Sequence, residues 1–191
     1  MNHTNVFDFD NTLYHGESAA DFALFMIRYN KQIIRWLPCI FWNLLKYKLC
    51  LVTRERMEKT INVFLQDVFW DKDAILLQAQ EFWETHAQKL DAGMLARIRP
   101  EDAIISAGPD FLLRAVGDRL GTEKLVCSEA DLTEKKVRYL NFGSNKVKRY
   151  REIYGDAPIE QFYTDSYNDK ALMDISDTVF LVKKGKLRQI K

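Results

Sequence analysis

Two aspartates, Asp8 and Asp10, close the apolar run Asn5-Val6-Phe7-Asp8-Phe9-Asp10, with Thr12 just beyond. Side chains two apart on an extended strand share a face, so both carboxylates can meet one substrate. Asp165 and Asp169 repeat the arrangement after a second apolar run, Gln161-Phe162-Tyr163-Thr164. Carboxylates gathered this way repel one another unless a cation neutralises them, and hard oxygen donors favour magnesium. Ser106, at the end of Ala103-Ile104-Ile105-Ser106, offers a hydroxyl and nearby backbone N–H groups to an anion. Lys146 follows the glycine-containing loop 141–145 at the start of a helix and adds positive charge; Lys148, further into that helix, competes for the same role. Carboxylates, magnesium, a hydroxyl and a lysine together describe a phosphoryl-transfer site. Each piece has a plainer reading taken singly. Ser106 could cap a helix, Lys146 could be solvated, and Asp165 and Asp169 could be turn residues. What those readings leave unexplained is the order of these residues at successive strand ends.

The elements that must position them follow from periodicity. The first apolar run reads as a short buried strand. From Glu17 to about Arg97 the spacing turns helical, with Phe22, Phe25, Met26 and Tyr29, then Ile61, Phe64, Leu65 and Val68, on common faces. No glycine falls between Gly16 and Gly93, so the segment reads as a block of helices, about four at ordinary lengths. After Pro100, short apolar runs alternate with helical stretches, the pattern of β-α units in a mainly parallel sheet. Such sheets gather functional residues beyond the carboxyl ends of their strands. The expected fold class is α/β. A three-layer core, residues 1–16 and 99–191, carries a parallel sheet with helices on both faces, and residues 17–98 form an inserted α-helical cap.

Composition narrows the function classes. Lys and Arg number 28 against 27 Asp and Glu, so neither a polyanion nor a polycation is the indicated partner, and nucleic acid is not expected. Cys39, Cys50 and Cys127 are odd in number and lack C-x-x-C spacing, which reads as reduced thiols. The start runs straight into the acidic strand, so no signal peptide is expected and the expected location is cytoplasmic. No obligate protein partner is evident. One segment departs from the balance. Residues 28–59 hold eight basic residues, among them Arg28, Arg35, Lys46 and Arg54, against Glu55 and Glu58. They are interleaved with Trp36, Ile40, Phe41, Trp42, Leu44, Leu45, Tyr47 and Leu49. The aromatics could pack the cap interior, or they could meet anionic lipid at the inner membrane face. Arg35, Pro38, Asn43, Lys46 and Lys48 argue against a membrane span over 33–52.

The four motifs, in order, resemble the haloacid dehalogenase (HAD) superfamily of phosphohydrolases. Asp8-Phe9-Asp10-Asn11-Thr12-Leu13 matches its first motif, Ile104-Ile105-Ser106 the second, Lys146 the third, and Asp165 to Asp169 the fourth. The cap after the first motif is similar to that of the phosphoserine-phosphatase-like branch, and its aromatic content to phosphatidylglycerophosphatase C. The resemblance implies a HAD-like Rossmannoid core and magnesium-dependent hydrolysis of a phosphate monoester through an aspartyl phosphate. It implies Asp8 as nucleophile, Asp10 as general acid and base, and Ser106 and Lys146 as phosphate-binding residues. Magnesium would meet the Asp8 carboxylate, the Asp10 backbone carbonyl and Asp165, with Asp169 supporting that shell and Thr12 bracing the first loop. Glu17 stands where the phosphoserine branch places a substrate-binding glutamate, yet lipid phosphatases of the branch are also acidic there. No arginine in good register is present to grip a serine carboxylate, since Arg54 and Arg56 fit poorly. Thr164 and Ser166 stand where glycines flank the fourth-motif aspartate in phosphoserine phosphatases, which implies a tighter loop. The implied substrate is a small phosphate ester, with phosphoserine or a membrane-surface lipid phosphate left open.

Overall fold

In the computed structural model, residues 4–48, 51 and 53–191 are described. Leu49, Cys50 and the side chains of Leu44, Tyr47 and Lys48, named above, lie outside that description. Strand β1 (Thr4–Phe7) leads into helices α1 (Ser18–Met26), α2 (Leu37–Lys48), α3 (Arg54–Val68), α4 (Lys72–His86) and the short α5 (Ala92–Leu95). The chain then alternates: β2 (Ala103–Pro109), α6 (Asp110–Arg114), β3 (Leu125–Asp131), β4 (Lys136–Tyr139), α7 (Ser144–Tyr154), β5 (Ile159–Thr164), α8 (Lys170–Ile175), β6 (Ser176–Lys183) and β7 (Lys186–Gln189).

The seven strands form one sheet in the order β4-β3-β2-β1-β5-β6-β7. The five inner strands pair in parallel, as the alternating pattern predicts. Both edges differ from a purely parallel sheet, because β4 and β7 return antiparallel as hairpins. Lys136-Val137-Arg138-Tyr139 and Lys186-Leu187-Arg188-Gln189 carry charges that suit exposed edges and blunt pairing with other chains. The basic turn at 183–186 is the tip of the second hairpin.

Alternation along the inner strands divides the core in two. Phe7, Ile104, Cys127 and Tyr163 face a large cluster that continues through Phe22, Phe82, Trp83 and Phe111 to Ile33, Leu65 and Phe69. Val6, Ile105, Val126 and Phe162 face a smaller cluster with Tyr150 and Leu172, under α7 and α8. The helices between β1 and β2 therefore share a continuous apolar interior with the sheet. The indole N–H of Trp83 donates to the Leu112 carbonyl at 2.7 Å, tying α4 to α6. Among the described residues, no helix is long and apolar enough to cross a membrane.

The chain leaves β1 toward β2 and β3 on one side and later returns to β5 and β6 on the other. That reversal opens a crevice beyond the carboxyl end of β1, where open α/β sheets bind ligands.

Candidate active site

Asp8 directly follows β1, and its backbone N–H donates to the Tyr163 carbonyl of β5 at 2.8 Å, which holds it over the central crevice. Its carboxylate is buried and accepts from Lys146 Nζ at 2.8 Å. The same ammonium meets Asp169 at 2.8 Å. Lys146, the third residue of α7, is 1% exposed, whereas the Lys148 side chain is 68% exposed and reaches only Glu152. Helix spacing explains the difference, since residues two apart on a helix do not share a face.

Asp10 lies past the strand, where Asn11 takes a left-handed φ of 57° and turns the chain back. The Asp10 carboxylate accepts the Ser18 N–H at 2.7 Å, so it caps α1 although Glu17 occupies the N-cap position. The Glu17 carboxylate accepts from Asn11 Nδ2 at 2.8 Å. Thr12 is buried in this turn, but its hydroxyl has no hydrogen-bond partner among the described residues; it contributes packing and its backbone N–H bond to Phe9.

Ser106 differs from expectation in its position along β2, which runs on to Pro109 with an irregular register between Ile105 and Pro109. Its Oγ accepts the Gly108 N–H at 2.9 Å. Asp165 follows β5. The Thr164 hydroxyl donates to Asp169 at 3.1 Å and accepts the Ser166 N–H at 3.2 Å, so the loop carrying Asp165 is tethered where glycines would leave it loose.

Burial and charge act together on these carboxyls. Burial raises Asp8 well above the ordinary carboxylate range, and Asp169 and Asp165 add to the effect against the opposing pull of Lys146. Burial and then Glu17 push Asp10 up to about 7, against the Ser18 hydrogen bond. Burial, Glu17 and Asp169 push Asp165 up to about 6. Raised carboxyl values in a cleft mark a functional site. They also mark an excess of negative charge that a hard cation would relieve. Among the described residues, no three His, Cys, Asp or Glu side chains meet as a ready cage. Magnesium does not need one: it is commonly held by one or two carboxylates, substrate phosphate and water. Asp8 and Asp165, with the Asp10 carbonyl, fit that sparse set.

Three contributors escaped the sequence reading. Ser18 supplies the N–H that holds Asp10. Asn141, fully buried, donates to the Ser106 and Val126 carbonyls at 2.9 and 3.0 Å and so bridges β2 and β3. Gly108 matters because a Cβ there would stand 3.1 Å from Ser106 Oγ and 3.0 Å from Leu113. A strand-end glycine beside a candidate hydroxyl was the available signal for the last; the other two are ordinary polar residues in sequence.

A cavity of about 270 Å³ opens at Asp10 and Glu17 and runs between α1, α2 and α3. Of the basic, aromatic segment, Ile33, Trp36 and Ile40 line this cavity, whereas Phe41, Trp42 and Leu45 point outward and are exposed. One face of that segment thus packs against the interior and the other is open to solvent. A larger groove of about 690 Å³ beside α4 and α6 contains none of the candidate residues.

Comparison with known proteins bears on this geometry. The profile of the haloacid dehalogenase-like hydrolase family matches residues 6–174. No curated protein sequence matches the chain. Among solved structures, a protein of unknown function from Bordetella pertussis Tohama I superposes with a TM-score of 0.75 at 17% identity, over 93% of this chain and 88% of that one. A phosphoserine phosphohydrolase-like protein from Francisella tularensis gives 0.63 at 17% identity, over 93% and 86%. Phosphoserine phosphatase from T. onnurineus gives 0.59 at 17% identity, over 94% and 82%. Identities this low speak to the fold, and the family match speaks to descent. The chain belongs to the haloacid dehalogenase-like hydrolase family.

Proposed function

We propose that this chain is a magnesium-dependent phosphatase that hydrolyses a phosphate monoester through an aspartyl phosphate on Asp8. The carrying observation is the convergence of Asp8, Lys146 and Asp169 within 2.9 Å contacts at the crevice, with Asp10 beside them pushed up to about 7. The Asp8 carboxylate attacks phosphorus, and the ester P–O bond breaks with its electrons on the leaving oxygen. Asp10, partly protonated near neutral pH, gives that oxygen its proton. Water then attacks the same phosphorus, Asp10 takes its proton, and the Asp8–phosphorus bond breaks to release inorganic phosphate. Ser106 Oγ already accepts from Gly108, so its O–H is left to donate to a phosphoryl oxygen. Lys146, positioned by Asp169, offsets charge on the transferring oxygens. Bound magnesium, held by Asp8, Asp165 and the Asp10 carbonyl, would supply charge neutralisation for phosphate.

In this reading residues 1–16 and 99–191 are the catalytic core and 17–98 the cap. Helices α2 and α3 form the outer wall of the cavity beside Asp10, so admission of substrate falls to them. The test is phosphate release from p-nitrophenyl phosphate, phosphoserine, sugar phosphates and a lipid phosphate, with and without magnesium. Turnover that needs magnesium and disappears in Asp8→Asn supports the reading, and equal turnover in that variant removes Asp8 as nucleophile. A competing alcohol in the assay separates hydrolysis from transfer to another acceptor.

A second reading, action at an anionic membrane surface, is favoured by the outer face of α2. Phe41 and Trp42 are 68% and 55% exposed there, and Lys46 Nζ lies 5.2 Å from the Trp42 ring centre. Aromatics flanked by cations suit an interfacial helix. Co-sedimentation with phosphatidylglycerol vesicles at low salt tests it, and absence of binding removes it.

A further inference from the structure

We infer that the cavity beside Asp10 receives the alcohol portion of the substrate and that this alcohol is apolar, a single alkyl or isoprenyl-like chain. The inference rests on the phosphatase reading and names its substrate class. The cavity is continuous with the site, because Asp10 and Glu17 form part of its wall. Beyond them the lining is mostly apolar, with Phe22, Met26, Ile33, Trp36, Ile61 and Phe64 facing one space and Asn43, Thr60, Ser128 and Glu129 as its other polar members. Neither Arg nor Lys lines it among the described residues, so a carboxylate on the leaving group, as in phosphoserine, would meet no counter-charge. Arg54, one of the two arginines weighed for that role, instead turns to Asn145 and Glu55 and does not line the cavity. A polar alcohol would recover few of its hydrogen bonds against the apolar part of this wall, whereas methylenes gain from the same burial.

The volume sets the size. At roughly 30 Å³ for each small group, the space takes a chain of about nine carbons. It lies just below the usual lower bound of about 300 Å³ for small-molecule sites, which suits one short chain.

The experiment is a chain-length series of n-alkyl monophosphates, ethyl to dodecyl, below their micelle concentrations, with phosphoserine alongside. Each added methylene should raise kcat/KM about fourfold until the cavity is full, with a plateau near eight to ten carbons. The Ile61→Trp variant, which takes up cavity space, should move the plateau to shorter chains. A flat series, or phosphoserine preferred over hexyl phosphate, overturns the inference while leaving the phosphatase reading in place. Binding of n-alkyl phosphonates to full-length Asp8→Asn protein by calorimetry supplies a readout independent of turnover. Affinity that climbs with chain length supports the apolar site even if no ester is hydrolysed, which would sink the phosphatase reading; affinity independent of length rejects the site.

Discussion

Replacing Asp165 by Asn should stabilise the metal-free protein while removing its response to magnesium. Asp165 titrates near 6 in the folded chain against an ordinary 3.8, because it is buried beside Glu17 and Asp169. A carboxyl whose folded value is raised favours folding in its protonated form. Its contribution is complete below the unfolded value and is lost as pH climbs through about 6. Two units correspond to about 3 kcal/mol at most. Asp165 keeps some contact with solvent, which screens its neighbours and reduces the effect to ~1–2 kcal/mol. For a chain of this size that is roughly 3–6 °C in Tm. The assay is thermal unfolding by circular dichroism in EDTA and in excess magnesium, between about pH 4.5 and pH 8. In EDTA the wild type should lose Tm as pH rises, and magnesium should restore it at the alkaline end. Asp165→Asn should melt above the wild type in EDTA at about pH 8, match it near pH 4.5, and gain little from magnesium. A variant less stable than wild type in alkaline EDTA would refute the charge-crowding argument. A variant with an undiminished magnesium response would refute Asp165 as a ligand.

Lys146→Met removes the partner of two buried carboxylates. It should cost about 3–5 kcal/mol near neutral pH, less in acid where the carboxyls protonate, and lower kcat by ~100-fold or more, read by denaturant melts and phosphate release. Thr164→Val leaves the Ser166 N–H and an Asp169 oxygen without the hydroxyl they share, so unfolding should cost about 1–2 kcal/mol less. Gly108→Ala pushes a methyl against Leu113 and Ser106 Oγ and should destabilise by about 1–3 kcal/mol, with kcat falling and Tm recording the strain. Because Asp10 must be protonated to serve as acid, the rate of alcohol release in single-turnover burst experiments should fall as pH rises past about 7; a burst independent of pH up to about 9 would remove Asp10 from that step.

Much of the candidate site was legible because Asp8 and Asp165 sit at strand ends, with Ser106 three residues short of the end of β2. Asp8, Ser106 and Asp165 each follow an apolar run, and parallel β-α order brings such ends together without further information. The choice of Lys146 over Lys148 rested on one helical step, which the burial of one and exposure of the other reflect. Other supporting residues were not legible. Ser18 acts through its backbone N–H, which its side chain does not announce, and a polar residue in a loop carries no sign of a partner 35 positions away, as Asn141 has in Ser106. The edge strand β4 had a signal in the alternation of Val137 and Tyr139 with charges, but four residues are too few to separate from a loop. The cavity was hidden for a different reason. Phe22, Ile33 and Phe64 carry the same pattern whether their helices close together or stand apart, since helical periodicity records which face is apolar and not what fills the space before it.

The same gap bears on how chemistry and specificity are joined. The helical segment begins at the turn that carries Asp10: Asp10 caps α1 through Ser18, and Asn11 holds Glu17 at the cavity mouth. Helix α1 then supplies Phe22 and Met26 to the lining while Phe22 also packs on Phe82 and Phe111 of the shared core. A rigid-body shift of α1 would therefore move Asp10, the proposed proton donor, and the cavity wall together. The outer wall from α2 and α3 has no such tie to Asp10, so it can vary in shape without disturbing the acid. On the proposed reading, the size of the leaving group is set by residues such as Ile40 and Ile61, and the reaction by the turn from Asp8 to Ser18.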